Sequence, residues 1–134
     1  MTATPHQLLH PAGWRPTRGY ANGVAATGRI LFLGGTIAWD AEQNLVAGDF
    51  VGQTRQCLRN IVAVLAEGGA RPEHLVRLTW YVTSREEYLA SLAELGRVYR
   101  EELGTHYPAM ALVQVAGLLE PRAKVEIEAT AVIP

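Results

Sequence analysis

Glu126 and Glu128 are the residues of this chain whose type and spacing most directly suggest chemistry. They stand two apart in a run where Val125, Ile127, Ala129, Ala131 and Ile133 alternate with Lys124, Glu126, Glu128 and Thr130. A period of two is that of a β-strand with one side in a core, so the two carboxylates stand side by side on its other surface. Like charges so placed repel unless water, a cationic partner or a second chain separates them. The spacing alone leaves a plainer reading open, a solvated edge on which Lys124 screens its neighbours.

Other constellations are excluded or weak. His6, His10, His74 and His106 show no HxxxH spacing and the chain has no CxxC pair, so no metal site is announced. The few serines fall at a cap and on a helix, without the nucleophile elbow of a serine hydrolase. Gly34-Gly35-Thr36 is followed by neither a P-loop lysine nor a dinucleotide fingerprint; its glycines allow a ligand or another backbone to come close. Trp14 and Arg15, between Pro11, Gly13 and Pro16, form either a lid over a pocket or a stacked pair that pins the loop, and the second is favoured.

The elements that must position these residues follow from periodicity. Residues 1–5 are expected to be loose, followed by a short apolar run at Leu8 and Leu9. Val24 to Thr27 and Ile30 to Leu33 read as two strands around a tight turn at Gly28, the second so apolar that both its faces should be covered. Asp49 to Glu67 reads as a helix, with a stripe of Val51, Thr54, Leu58, Ile61 and Leu65 widened by Phe50, Cys57 and Val64, and with Gly68-Gly69 as its stop. Cys57 in that stripe is a buried small hydrophobe rather than a nucleophile. Leu75 to Thr83 alternates as a strand. Ser84 with Glu87 is a capping box opening a second helix, lined by Tyr88, Leu92, Leu95 and Tyr99 and ending near Gly104. Residues 107–116 and 124–133 then form a hairpin. This order, βββαβαββ, places two helices on one face of a single mixed sheet in an α+β fold. The opposite face would carry Met110, Leu112 and Gln114 beside Lys124, Glu126 and Glu128, a surface too apolar to stand bare.

At 134 residues the chain fits one domain, 1–134, with a core large enough to need neither metal nor disulfide. With 12 basic against 13 acidic residues and no basic run, it offers no nucleic-acid surface. A single cysteine suggests a reducing compartment. The absence of a leader-like N-terminus or a spanning apolar run suggests the cytoplasm and no membrane partner.

Pro108-Ala109, Val113-Gln114-Val115-Ala116 and Glu126-Ile127-Glu128-Ala129, with Gly19-Tyr20-Ala21-Asn22-Gly23-Val24 near the start, resemble the reactive-intermediate deaminase family, also called Rid or YjgF-like. The resemblance implies a chorismate-mutase-like homotrimer with a ligand site in each cleft between subunits and no cofactor. In its imine-hydrolysing members an arginine of a Pro-Ala-Arg-Ser run holds the substrate carboxylate, while a glutamate orders the attacking water. Glu126 matches that glutamate, and Tyr20 matches a tyrosine whose hydroxyl can orient a carboxylate or water without ionising. These two are the catalytic candidates. Tyr20, Gly34, Thr36, Met110, Leu112, Gln114 and Glu126 are expected to line the cleft, with no metal.

The departure is at Met110, which stands where those members carry the arginine. Gly34 likewise replaces a serine, and Gly96 aligns with an asparagine. A thioether in place of the bidentate clamp weakens carboxylate binding by about 1.5–3 kcal/mol, roughly ten- to a hundred-fold. Three readings follow. The preferred one is a trimer that binds a small apolar or aromatic metabolite without general 2-imino acid deaminase activity. The second is a specialised imine or enamine deaminase whose substrate is neutral or is gripped from Arg15, Arg18 or Arg122. The third is a structural trimer with no functional cleft.

Overall fold

The computed structural model describes residues 3–46 and 48–134. The elements are β1 (Gln7–Leu9), β2 (Gly23–Ala25), β3 (Arg29–Thr36), α1 (Phe50–Glu67), a 3-10 turn (Pro72–His74), β4 (Leu75–Val82), α2 (Arg85–Ala90), α3 (Leu92–Leu103), β5 (Ala109–Gln114) and β6 (Val125–Ile133). Among the described residues the strands form two sheets, β1-β2 and a four-stranded β3-β6-β4-β5, and there are three α-helices. The expected single mixed sheet with two helices, and with it the chorismate-mutase-like architecture, is therefore corrected.

Two expected hairpins are absent for one reason: neighbours in sequence lie apart in the sheet. β4 separates β5 from β6, pairing parallel with β5 and antiparallel with β6. β2 pairs with β1 rather than β3. Just before β2, Ala21 forms a parallel bridge to Ala109 at the start of β5, while β3 occupies the other edge of the larger sheet. Residues 26–28 therefore carry the chain away from that side instead of closing a turn. Gly28, at φ 145°, runs so close to β6 that a Cβ there would lie 2.0 Å from the Ile133 carbonyl oxygen. No side chain fits that passage.

The second helical region divides at Ser91. Ser84 accepts a hydrogen bond from Glu87 N and opens α2, but the Glu87 carboxylate accepts from Lys124 Nζ instead of from Ser84 N, so only half of the expected capping box forms. At Ser91 the amide donates to Tyr88 O, three residues back, and its hydroxyl donates to Glu87 O. A serine bonding its own backbone in this way competes with helix continuation.

The core lies between α1, α3 and one face of the larger sheet, where Leu31, Leu33, Leu78, Trp80, Val125, Ile127 and Ala129 meet Leu58, Ile61, Leu65, Leu95 and Val98. The other face is uncovered. Ile30 is 54% and Phe32 80% exposed, which overturns the expectation that β3 is covered on both faces. An almost wholly apolar strand need not have two buried faces; here its alternate residues simply face outward. On α1 the stripe is as read from the sequence except at two places. Val64 is exposed and Gln53 takes a buried position, where its amide accepts from Lys124 N and donates to Arg122 O. That pair of bonds fastens the connection into β6 to the helix. At the N-terminus, Met1 and Thr2 lie outside the described residues. The expected looseness of 1–5 is contradicted at Thr4, whose hydroxyl donates to Glu73 O at 2.8 Å.

Leu78→Ala should cost about 2–5 kcal/mol in denaturant unfolding, since Leu78 is fully buried at the centre of the sheet. Cys57 is also fully buried, and burial, helped by the Glu126 charge, pushes its thiol up to about 12. Its protonated form therefore stabilises the fold fully below about pH 9, and that contribution is lost as the pH rises towards 12. The native protein should resist iodoacetamide at pH 9 and react in denaturant; rapid native alkylation would overturn this placement.

Candidate functional site

The register of the larger sheet divides the candidate residues between its two faces. Met110 pairs with Leu78 and Leu112 with Trp80, so both lie on the face that meets the helices. Glu126 pairs with Tyr81 and Glu128 with Thr79, on the uncovered face. The expectation that Met110 and Leu112 share a face with Glu126 and Glu128 is thus corrected. A strand's period of two puts alternate residues on opposite faces, and only the pairing through β4 shows which parity is inward.

On the helix side, Met110 and Leu112 line an open cavity of about 770 Å³ with Tyr20, Trp80, Tyr88, Leu92, Gly96 and Tyr107. Tyr20 is brought there by backbone contact: Ala21 N donates to Pro108 O at 3.0 Å, holding the segment against the start of β5. One wall is rigid. Tyr107 stacks on Tyr99 with ring centres 4.6 Å apart, and Tyr99 donates its hydroxyl to His106 O at 2.7 Å. The His106 ring is buried and bonds Leu75 O, and burial lowers its proton affinity. The indole nitrogen of Trp80 is buried without a partner among the described residues. Aromatic and apolar walls of this kind suit a small organic ligand. Tyr20 and Tyr107 also border a second hollow of about 660 Å³, lined on its other side by Leu8 and Leu9 of β1.

On the uncovered face the two carboxylates are held differently. Tyr81 donates its hydroxyl to Glu128 at 2.8 Å, and this bond is the main reason the Tyr81 phenol is held above its usual range. Glu126 makes no hydrogen bond or ion pair among the described residues and lies over the backbone of Gly35, where a Cβ would fall 2.5 Å from its Oε2. At Gly34-Gly35 the expected approach was of a ligand or another backbone; it is this carboxylate that comes close, and only at Gly35. The register shift between Leu33 and Thr36 marks a bulge there, which explains the glycines in a strand. Lys124 does not screen its neighbours as the plainer reading had it; its ammonium reaches Glu87 at 3.0 Å.

The remaining candidates are scattered. Gly34 borders a shallow hollow with Phe32, Arg77 and Glu128. The Thr36 hydroxyl is buried, donating to Ile37 O and accepting from Asn60. Gln114 accepts from Arg85 N and so caps α2. Trp14 is 60% exposed, and it is its carbonyl, bonded by the His10 ring, that holds the loop, not a packed indole. Neither Trp14 nor Arg15 lines the Met110 cavity. Trp80 and Tyr88, read from sequence only as positions on a strand and a helix face, were not marked as cavity residues; aromatic positions on strand and helix carry no mark of the cavity they will line. Among the described residues no group of three or more His, Cys, Asp or Glu is placed to hold a metal ion, and no helix is long and apolar enough to cross a membrane.

Comparison with known proteins agrees with this architecture. Residues 12–133 match the family model described as endoribonuclease L-PSP. Protein DfrA of Myxococcus xanthus is 40% identical over 107 residues, covering 78% of this chain and 77% of that protein. A RutC family protein of Pasteurella multocida is 32% identical over 98% of each chain. Among solved structures, a Rid-family protein of unknown function from Yersinia pestis superimposes with a TM-score of 0.84 at 33% identity, over 96% of this chain and 98% of that one. The chain belongs to the Rid/YjgF family, to which the endoribonuclease L-PSP description is attached.

Proposed function

We propose that this protein is a homotrimer that binds a small apolar or aromatic metabolite in clefts between subunits and lacks general 2-imino acid deaminase activity. The observation that carries the reading is the cavity itself. Where the family's deaminases carry an arginine, Met110 joins Leu112 in a wall that also holds Tyr20, Trp80, Tyr88 and Tyr107. A purely structural trimer would be favoured by a site filled with side chains; the open cavity of about 770 Å³ supports a ligand instead.

Two observations support assembly. The uncovered sheet face exposes Ile30, Phe32 and Val113, an apolar surface that a second subunit would bury. Met110 and Glu126 lie on opposite faces of one sheet, so a site that uses both must draw them from two subunits. Glu126, half-buried over Gly35 and unpaired among the described residues, and Tyr20 at the cavity are then the groups available to a specialised imine or enamine deaminase, the second reading.

Sedimentation at micromolar concentration should give three chain masses, and Phe32→Glu should give one; a monomeric wild type would remove the shared cleft. Ammonia release from freshly generated 2-aminoacrylate should be at least about ten- to a hundred-fold slower than with an arginine-bearing relative, the deficit set by the missing clamp. Turnover matching that relative would make the deaminase reading the correct one, and Met110→Arg tests whether the clamp alone is lacking.

A further inference from the structure

The cavity beside Met110 is not uniformly apolar. Arg18, from the loop before Tyr20, and Arg100, from α3, both line it with largely exposed side chains. Arg55, Arg59, Arg71, Arg97 and Arg122 are paired with carboxylates within 4 Å, whereas Arg15, Arg29, Arg77 and Arg85, like Arg18 and Arg100, have no ion pair among the described residues; what sets Arg18 and Arg100 apart is that both line this cavity. Among the described residues, Arg18 and Arg100 make no salt bridge and no side-chain hydrogen bond. The carboxylate of Glu101, the neighbour of Arg100 in sequence, is already bonded by Arg55. Among the described residues no Asp or Glu lines the cavity. Two cations over a wall of apolar groups, with no anion of their own, make a field that attracts one.

Gly96 adds a second, independent observation. It lies inside α3, where glycine is unfavourable relative to alanine, yet it too lines the cavity. A Cβ at position 96 would stand 3.3 Å from Nη1 of Arg100. The missing side chain is the room in which the guanidinium lies folded along the helix at the cavity wall.

We propose that the cavity takes an amphipathic carboxylate, an aromatic or branched apolar body seated against Tyr20, Tyr107, Met110 and Leu112, with its carboxylate held by Arg18 and Arg100. The inference rests on the reading of this cavity as a ligand site and names the ligand class. The anion contact that Met110 cannot make is supplied from the cavity rim rather than from the strand. The acid group is therefore held nearer to solvent, and the apolar body occupies the depth of the site.

Calorimetric titration of the full chain with phenylacetate and with its uncharged isostere phenylacetamide separates the two claims. Amide binding reports on the cavity, and the ratio of acid to amide affinity reports on the arginines. The acid should bind about tenfold or more tightly than the amide, and should weaken with added salt while the amide does not. Arg18→Gln and Arg100→Gln should each weaken the acid several-fold, by about the loss of one charge-assisted bond, and the double variant should bring it to the amide's affinity. Both side chains are exposed, so the variants should keep the wild-type sedimentation and circular dichroism. Equal binding of acid and amide, unchanged in the variants, would overturn the carboxylate assignment and leave the ligand site standing. Failure of both compounds to bind at millimolar concentration would overturn both.

Discussion

The pairing of β4 with β5 on one side and β6 on the other is the constraint from which the site follows. Because β5 runs parallel to β4 and β6 antiparallel, both take their facing from the alternation of a single strand. Leu78, Trp80 and Val82 are buried towards the helices, and this carries Met110 and Leu112 inward with them. Thr79 and Tyr81 point to the uncovered face, and Glu128 and Glu126 go with them. A one-residue slip would reverse every assignment, at the cost of exposing the core of β4. The buried Gln53 guards against that slip by holding the chain at Arg122 and Lys124, just ahead of β6.

The same register resolves how two glutamates live side by side. Tyr81 stands on the open face directly opposite Glu126 but donates to the other carboxylate, Glu128. The other, Glu126, lies where the β3 bulge brings Gly35 beneath it and is left without a partner among the described residues. The chain thus spends its hydrogen-bond donor on one carboxylate and keeps the second available. A pair that looks symmetric in sequence is unequal in the fold.

On the helix side, the break at Ser91 and the backbone bond from Ala21 to Pro108 act together. The first lets α2 and α3 take separate positions, so that Tyr88 reaches Phe50 edge-on while Leu92 and Gly96 face β5. The second pins Tyr20 across the opening. The cavity is therefore bounded by elements from four separate parts of the chain, which suits a pocket whose walls must hold their shape without a ligand.

Much of this was legible in the residues. The alternation of 125–133 and 75–83, the α1 stripe, the capping serine and the terminating glycines were local patterns, and local hydrogen bonding and solvation enforce them wherever they lie. The family likeness was legible too, in Glu126-Ile127-Glu128-Ala129 and its companions. What neighbouring residues cannot encode is which strands meet. The separation of β5 from β6, the withdrawal of β1 and β2 into a second sheet, the exposure of Phe32 and the division of Met110 from Glu126 all depend on contacts between distant segments. A strand's own period of two says that it has two faces; only the strand beside it, and what covers that strand, decides which face is inside.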